Sequence, residues 1–249
     1  MNARGYVQRQ YREMHRAPDL AYFTVRLKET DLSVGVDRES FVPEVSEMAE
    51  AEVARLRADL ESYIHLYPEF LTSLVPVPMA PGAPAIVRTM VAAAARAGVG
   101  PMAAVAGAIA QAVGERLRTR TREVIVENGG DIYLCCQRDR QVALFAGDSP
   151  FSNRVAVRIE GGRGPRGVCT SSGTVGPSLS LGRADAALVI AADVALADAV
   201  ATGAGNRVQA DNDLRQAVEW ARAIEGVDGI VVVRGREMAA WGDVELVRL

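Results

Sequence analysis

The sequence predicts an α+β fold in which antiparallel sheets pack against helices. Apparent hairpins recur along the chain, and strands and helices arrive in blocks rather than in strict β-α-β alternation. The 249 residues, 49% hydrophobic and 24% charged, hold enough apolar material for a sizeable core. They read as one domain, 1–249, in which the Pro-rich connector 75–84 is either a boundary between two sub-halves or a stiff loop.

Residues 21–37 alternate: Ala21, Phe23, Val25 and Leu27 share one face, Lys28 to Asp31 turn the chain, and Leu32, Val34 and Val36 resume the pattern, which predicts a hairpin. Residues 45–66 place Val45, Met48, Val53, Leu56, Leu60, Tyr63 and Ile64 at helical spacing up to Pro68. Two further helices follow at 85–97 and 101–117, separated by Gly98-Val99-Gly100. The run Ala103, Ala104, Ala106, Gly107, Ala108, Ala110 is explained by tight helix packing alone; its other reading is a helix N-terminus at Gly100 offering free amides to an anion.

A strand at 123–126 runs into Glu127-Asn128-Gly129-Gly130-Asp131 and leaves through 132–134. Asn-Gly-Gly is ordinary turn chemistry, and the alternative is an interrupted strand whose Asn128 and Asp131 reach a ligand. Strands are expected at 142–145 and 155–159, then a flexible hairpin loop at 161–167. Residues 167–206 join a Gly- and hydroxyl-rich loop (Thr170, Ser171, Ser172, Gly173, Thr174) to a buried strand and a small-residue helix. A helix at 211–224, a strand at 229–234 and a last strand or hairpin arm at 238–247 complete the pattern.

Composition excludes several functions. The net charge of −3 gives no electrostatic reason to expect nucleic acid or an anionic membrane as partner. Residues 1–16 are polar and Arg-rich, unlike a secretory signal, so the cytoplasm is the expected compartment; residues 97–113 are too weakly hydrophobic to span a bilayer. Lys28 is the only lysine, which removes Schiff-base and P-loop chemistry. Cys135, Cys136 and Cys169 lack zinc-site spacing, and Cys169 reads first as a small buried hydrophobe. His15 and His65, the two histidines, stand near no motif.

Oxygen chemistry remains. Asp198 and Thr202, at i and i+4, project from one helix face and suit a hard cation, since Mg²⁺ takes one or two carboxylates and completes its shell with water and phosphate. The competing reading is structural: Asp198 ties down a neighbouring loop and Thr202 back-bonds within its helix.

N-G-G-D at 128–131, T-S-S-G at 170–173 and A-D-A-V-A-T at 197–202 resemble, in the same order, the N-x-G-G-D, T-S-G and D-A-x-A-T signatures of the ApbE superfamily, the FAD:protein FMN transferases. An uncharacterised prokaryotic branch of that superfamily is similar along nearly the whole chain, through K-E-T-D-L at 28–32, Y-I-H-L-Y-P-E-F at 63–70, V-G-P-M-A-A-V-A-G-A-I-A at 99–110 and W-G-D-V-E-L at 241–246. The resemblance implies an ApbE-like α+β fold and a small-molecule ligand, FAD, FMN or another nucleotide, in a cleft. It implies Mg²⁺ on Asp198 and Thr202, with the Ala201 carbonyl a further ligand. Asn128, Gly129, Gly130, Asp131, Thr170, Ser171, Ser172 and Gly173 would line the cofactor pocket. FMN-transferase-like activity is one implied function; the other is a ligand-binding or assembly module that keeps the fold and has lost transfer chemistry. Where the transferases carry S-H-I-x-D-P, this chain has Gly176-Pro177-Ser178-Leu179-Ser180, without His or Asp, and Met102-Ala103 stand near the place of their Lys-Gly.

Overall fold

The computed structural model describes residues 17–173 and 181–249. His15, Thr174 and the Gly176 to Ser180 segment lie outside them.

Strand β1 (Leu20–Leu27) pairs antiparallel with β2 (Thr30–Asp37) as the predicted hairpin, turning on Lys28 at φ 53°. Helix α1 (Pro43–Leu66) starts on a proline, where the missing N–H leaves no hydrogen bond unmade, and buries Val45, Val53, Leu56, Leu60 and Tyr63. Beyond Pro68 the one-turn helix α2 (Glu69–Thr72) seats Phe70 edge-on against Tyr63, ring centroids 5.1 Å apart. Helix α3 (Ala85–Ala97) ends on left-handed Gly98.

The single helix expected at 101–117 is divided. Pro101–Ala104 form a 3₁₀ turn, and regular helix α4 (Val105–Leu117) begins only after Ala104, whose φ of −119° breaks the helical path. This break points the first amides of α4 inward at Ala106 and Gly107 rather than at Gly100.

Strands β3 (Val124–Asn128) and β4 (Asp131–Cys135) make a tight hairpin across Gly129-Gly130, with φ of 71° and 108° that only glycine adopts without strain. Next come β5 (Arg140–Ala143), β6 (Val155–Ile159), β7 (Arg166–Ser171), β8 (Ala186–Ala191), α5 (Val194–Arg207), α6 (Asp213–Arg222), β9 (Val227–Arg234), β10 (Glu237–Gly242) and β11 (Glu245–Arg248). One antiparallel sheet has the order β1-β2-β3-β4-β7-β8-β9-β10, and a second has β11-β6-β5.

Three further expectations change. The 161–167 loop is a crossover from the small sheet to the large one, not a hairpin, because β6 pairs with β5 and β11 while β7 pairs with β4 and β8. Thr170 and Ser171 belong to strand β7 rather than to a loop, held by Leu188 and Ala187 of β8. The terminal arm 238–247 is two strands in different sheets, turned apart at Gly242 with φ 89°.

The layers follow from period-2 alternation. In β8, Ala187, Val189 and Ala191 face the helices, while Ala186, Leu188 and Ile190 face the small sheet; in β9, Ile230 and Val232 face one way, Val231 and Val233 the other. The large sheet is thus the middle of three layers, helices on one side and β5-β6-β11 on the other. Among the described residues no single helix is long and apolar enough to cross a membrane; the α3 and 101–117 pair, bent by 105°, packs into the helical layer.

Candidate functional site

Helix α5 is the element on which the site is built. It is buried from Val194 to Ala201 and again at Gly203 to Gly205, which is possible because small residues let backbones press close on every side. A Cβ on Gly107 of α4 would stand 2.5 Å from the Val194 carbonyl and 2.8 Å from the Asp198 Cβ, and one on Gly167 of β7 would stand 2.8 Å from the Val194 Cα. One on Gly182 would collide with the Gly205 carbonyl.

Close approach of α4 gives Asp198 its first partners. The Gly107 amide donates to Asp198 Oδ2 at 2.8 Å, and the Ala106 amide donates to the same carboxylate. In return Gln111 of α4 accepts the first amides of α5, Val194 at 2.9 Å and Ala195 at 3.4 Å. Each helix therefore satisfies N-terminal amides of the other, on α5 alongside its own cap Asp193, which accepts the Leu196 amide at 3.1 Å. On the sheet side, Asn128 donates through Nδ2 to the Ala106 carbonyl at 3.1 Å, so the N-G-G-D turn is tied to the same helix start.

Asp131 opens β4 directly opposite Cys169 of β7. Its carboxylate is buried beside the Thr170 amide and the Cys169 thiol, which itself donates to the Val194 carbonyl at 3.5 Å, and it feels the charges of Asp198 and Glu127. Burial first, then the Asp198 charge, pushes Asp131 well above the ordinary carboxylate range; burial likewise raises Asp198, against the two amides that stabilise its charge. The Cys169 thiol, wholly buried, is raised by burial and by the adjacent carboxylates, as befits a small core residue and not a nucleophile.

Asn128, Asp131, Thr170 and Asp198 thus converge on one place. Farther along α5, Thr202 lies one turn from Asp198 on the same face, half-buried, and its hydroxyl makes no hydrogen bond among the described residues. Ser171 Oγ stands 3.7 Å from where a Gly205 Cβ would be, which aligns the end of β7 with the last turn of α5. The Ala201 carbonyl lies in mid-helix, where the helical ladder directs it to the amide four residues on. Gly129 and Gly130 form the hairpin tip, Gly130 donating to Glu127 at 2.9 Å. Ser172 and Gly173 leave β7, and the Gly173 amide donates to the Ala184 carbonyl at 2.8 Å; across from it, Leu181 donates to Asn206 at 2.8 Å.

Sequence reasoning did not single out Ala106 and Gly107 as the groups that hold Asp198, nor Gln111. The signal was present: one polar side chain, Gln111, in a run of alanine and glycine has no reason to be there unless a backbone donor faces it.

The donor set suits a hard divalent cation. Two buried carboxylates share a region where neither makes an ion pair among the described residues, and an open hydroxyl lies one turn away. Among the described residues no group of three or more His, Cys, Asp or Glu is arranged to hold a metal, so any such site leaves coordination positions to water or a ligand.

The chain matches the family model described as AbpE bacteria over residues 12–229. It is a member of that family. A UPF0280 protein of Methanococcus aeolicus is 41% identical over 225 residues, which are 88% of this chain and 89% of that protein. Another, of Methanocella arvoryzae, is 44% identical over 191 residues, 76% and 78% of the two chains. Among solved structures, the flavinyl transferase ApbE of Pseudomonas stutzeri in its apo form aligns over 89% of this chain and 94% of its own with TM-score 0.52 at 15% identity. A variant of the flavin transferase ApbE of Vibrio cholerae aligns over 90% and 97% with TM-score 0.58 at 14% identity. This AbpE-family protein has the α+β fold of the ApbE flavin transferases, and the predicted architecture is the one observed.

Proposed function

We propose that this ApbE-like protein binds a flavin or nucleotide ligand bearing a diphosphate, with Mg²⁺ on Asp198 and Thr202, and uses it in FMN-transferase-like chemistry. The observation that carries the reading is the burial of Asp131 and Asp198, from different elements, within each other's field. Two carboxylates concentrated where each raises the cost of ionising the other are stabilised by a bound cation. Shared fold with two flavin transferases supports the choice of ligand class.

Each residue has a part. Asp198, oriented by the Gly107 and Ala106 amides, and Thr202, with its open hydroxyl, hold the cation; the Ala201 carbonyl contributes only through the lone pair its helix bond leaves over. Asn128 fixes the hairpin on α4, and Gly129 and Gly130 keep its tip free of side chains. Asp131 would add negative charge to the site that holds the cation. Thr170, Ser171 and Ser172 offer hydroxyls to phosphate or flavin, and Gly173 lets the chain turn away beside them. When bound, Mg²⁺ supplies charge neutralisation at the diphosphate oxygens.

The second reading is a binding module without transfer chemistry. Its support is that Asp198 already has a structural duty at the start of α4, together with Pro177 in place of the transferases' histidine.

FAD fluorescence titrated with and without Mg²⁺, followed by assay of AMP release, separates the two. Binding strengthened by Mg²⁺ and weakened at least tenfold in Asp198→Asn supports the cation site, and AMP release with the FMN recovered covalently on an added acceptor protein, rather than free as in hydrolysis, supports transfer. Binding that ignores both Mg²⁺ and Asp198→Asn removes the cation; no response to FAD, FMN or any nucleotide removes the ligand class.

A further inference from the structure

The segment that follows α1 carries an apolar surface unconnected with the cleft chemistry. Leu66 is 70% and Val75 63% exposed, and Leu71, Leu74 and Met79 are each about half exposed. These five large side chains fall within fourteen residues. Charge is missing from the same stretch: between Glu61 and Arg88 the only formally charged residue is Glu69, where the chain's 24% average would place roughly six, and such depletion is the compositional mark of an interface core.

The surface is also held in shape. Beneath it Tyr63 packs on Tyr67 at 4.7 Å and on Phe70 at 5.1 Å, and the Tyr63 hydroxyl accepts the Ala80 amide at 3.2 Å. The Ser73 hydroxyl donates to the Val75 carbonyl at 2.7 Å, and the Ser73 carbonyl lies so close to Gly100 that no Cβ fits between them. The backbone that carries the exposed side chains is thereby held in place before any partner covers them.

We infer that this face is the two-fold interface of a homodimer. At about 100 Å² each, the five side chains present roughly 500 Å² of apolar area, well over half of the ~800 Å² that one partner contributes to a standard interface. A second copy is the occupant the chemistry favours. An apolar surface nearly free of charge is complementary to itself, whereas selecting an unlike partner calls for a charge pattern that this one lacks.

The test is sedimentation velocity of the full chain over a hundredfold range of concentration, with hydrogen exchange measured at both ends. The expected result is a species of twice the chain mass, with amides 69–75 exchanging at least tenfold more slowly at the higher concentration. Leu71→Glu with Val75→Lys is expected to give a folded monomer, while Leu246→Glu, on an exposed apolar residue of β11, leaves the dimer intact. A monomer throughout, a dimer that survives Leu71→Glu/Val75→Lys, or exchange at 69–75 independent of concentration overturns the inference. Binding of the monomer to anionic vesicles or to an unlike protein in place of self-association overturns it equally. Should the double variant fail to fold, the exchange comparison on the unaltered chain decides alone.

Discussion

The Asp198 carboxylate accepts the Gly107 amide at 2.8 Å, across 91 residues of sequence, and this contact joins the two helices that form one wall of the site. It makes one buried side chain on α5 hold the start of α4 while it faces the candidate site. Gln111 of α4 in turn accepts the first amides of α5, so a shift of either helix breaks hydrogen bonds at the start of the other.

Gly107→Ala is therefore expected to push the helices apart. Its Cβ would meet a backbone carbonyl and the Asp198 Cβ, neither of which can rotate away, and overpacking of this kind costs about 1–3 kcal/mol. Gly205, in the same small-residue helix, offers the contrast: the nearest atom to its Cβ position is 3.7 Å away, so Gly205→Ala should be neutral or stabilising by up to ~1 kcal/mol. Thermal unfolding of the two variants checks this. Equal melting temperatures would show that the α4–α5 contact is slack.

Gln111 gives a test of the cap itself. Gln111→Leu keeps the volume and removes the acceptor from the Val194 and Ala195 amides, a loss of about 1–2 kcal/mol or roughly 2–8 °C in a chain of this size. Gln111→Glu keeps the acceptor and adds negative charge at a helix N-terminus, so it should melt at or above the parent. A Glu variant as unstable as the Leu variant would mean that α5 begins elsewhere.

The Asp131 and Asp198 pair makes a pH-dependent prediction in metal-free buffer. Asp131 has a folded pKa raised above its ordinary 3.8, so the folded state holds a proton that the unfolded state has released, and stability falls as pH climbs from about 4 toward the folded value. Asp131→Asn removes that penalty while keeping an acceptor for the Thr170 amide. Its melting temperature should exceed the parent's at pH 8, and the gap should narrow as pH falls and close only below the unfolded value of 3.8, where both states of the parent become protonated. A gap that is constant with pH would show that Asp131 is already charged in the fold.

Much of this site is legible in the sequence and some of it is not, for physical reasons. The N-G-G-D hairpin is local chemistry, fixed by two glycines and readable from four residues. The Asp198 and Thr202 pair is also local, because a helix places i and i+4 together. Thr170 and Ser171, by contrast, look like loop because they run into Ser172-Gly173 and glycine is depleted in strands, yet pairing with Leu188 and Ala187 of β8 holds them in the sheet. The sheet change at Gly242 and the crossover at 161–167 depend on which strand lies alongside, and the grip of Gly107 on Asp198 depends on a contact between helices separated by six strands; no window of sequence contains either.

Arg140 supports a last prediction, away from the site. Its guanidinium is buried, binds both oxygens of Asp19 at 2.8 and 2.9 Å and also pairs with Glu123, tying the residue before β1 and the strand β3 entry to the small sheet. Arg140→Met should destabilise by about 3–5 kcal/mol at pH 7, since it strands carboxylates that the fold keeps from water; partial exposure of Asp19 brings the value toward the lower end. Arg140→Lys should rescue little, because a single ammonium cannot bind two carboxylates in a fork. Acid supplies the discriminating measurement. The hydrogen bond from Arg140 is the main cause that lowers the Asp19 pKa below 3.8, so the stability it confers is present above that value and is lost as pH falls through the folded one. The parent should thus lose stability steeply below about pH 4 while Arg140→Met, with the pair already gone, shows a shallower fall. Parallel acid profiles for the two proteins would assign the parent's acid sensitivity to other carboxylates.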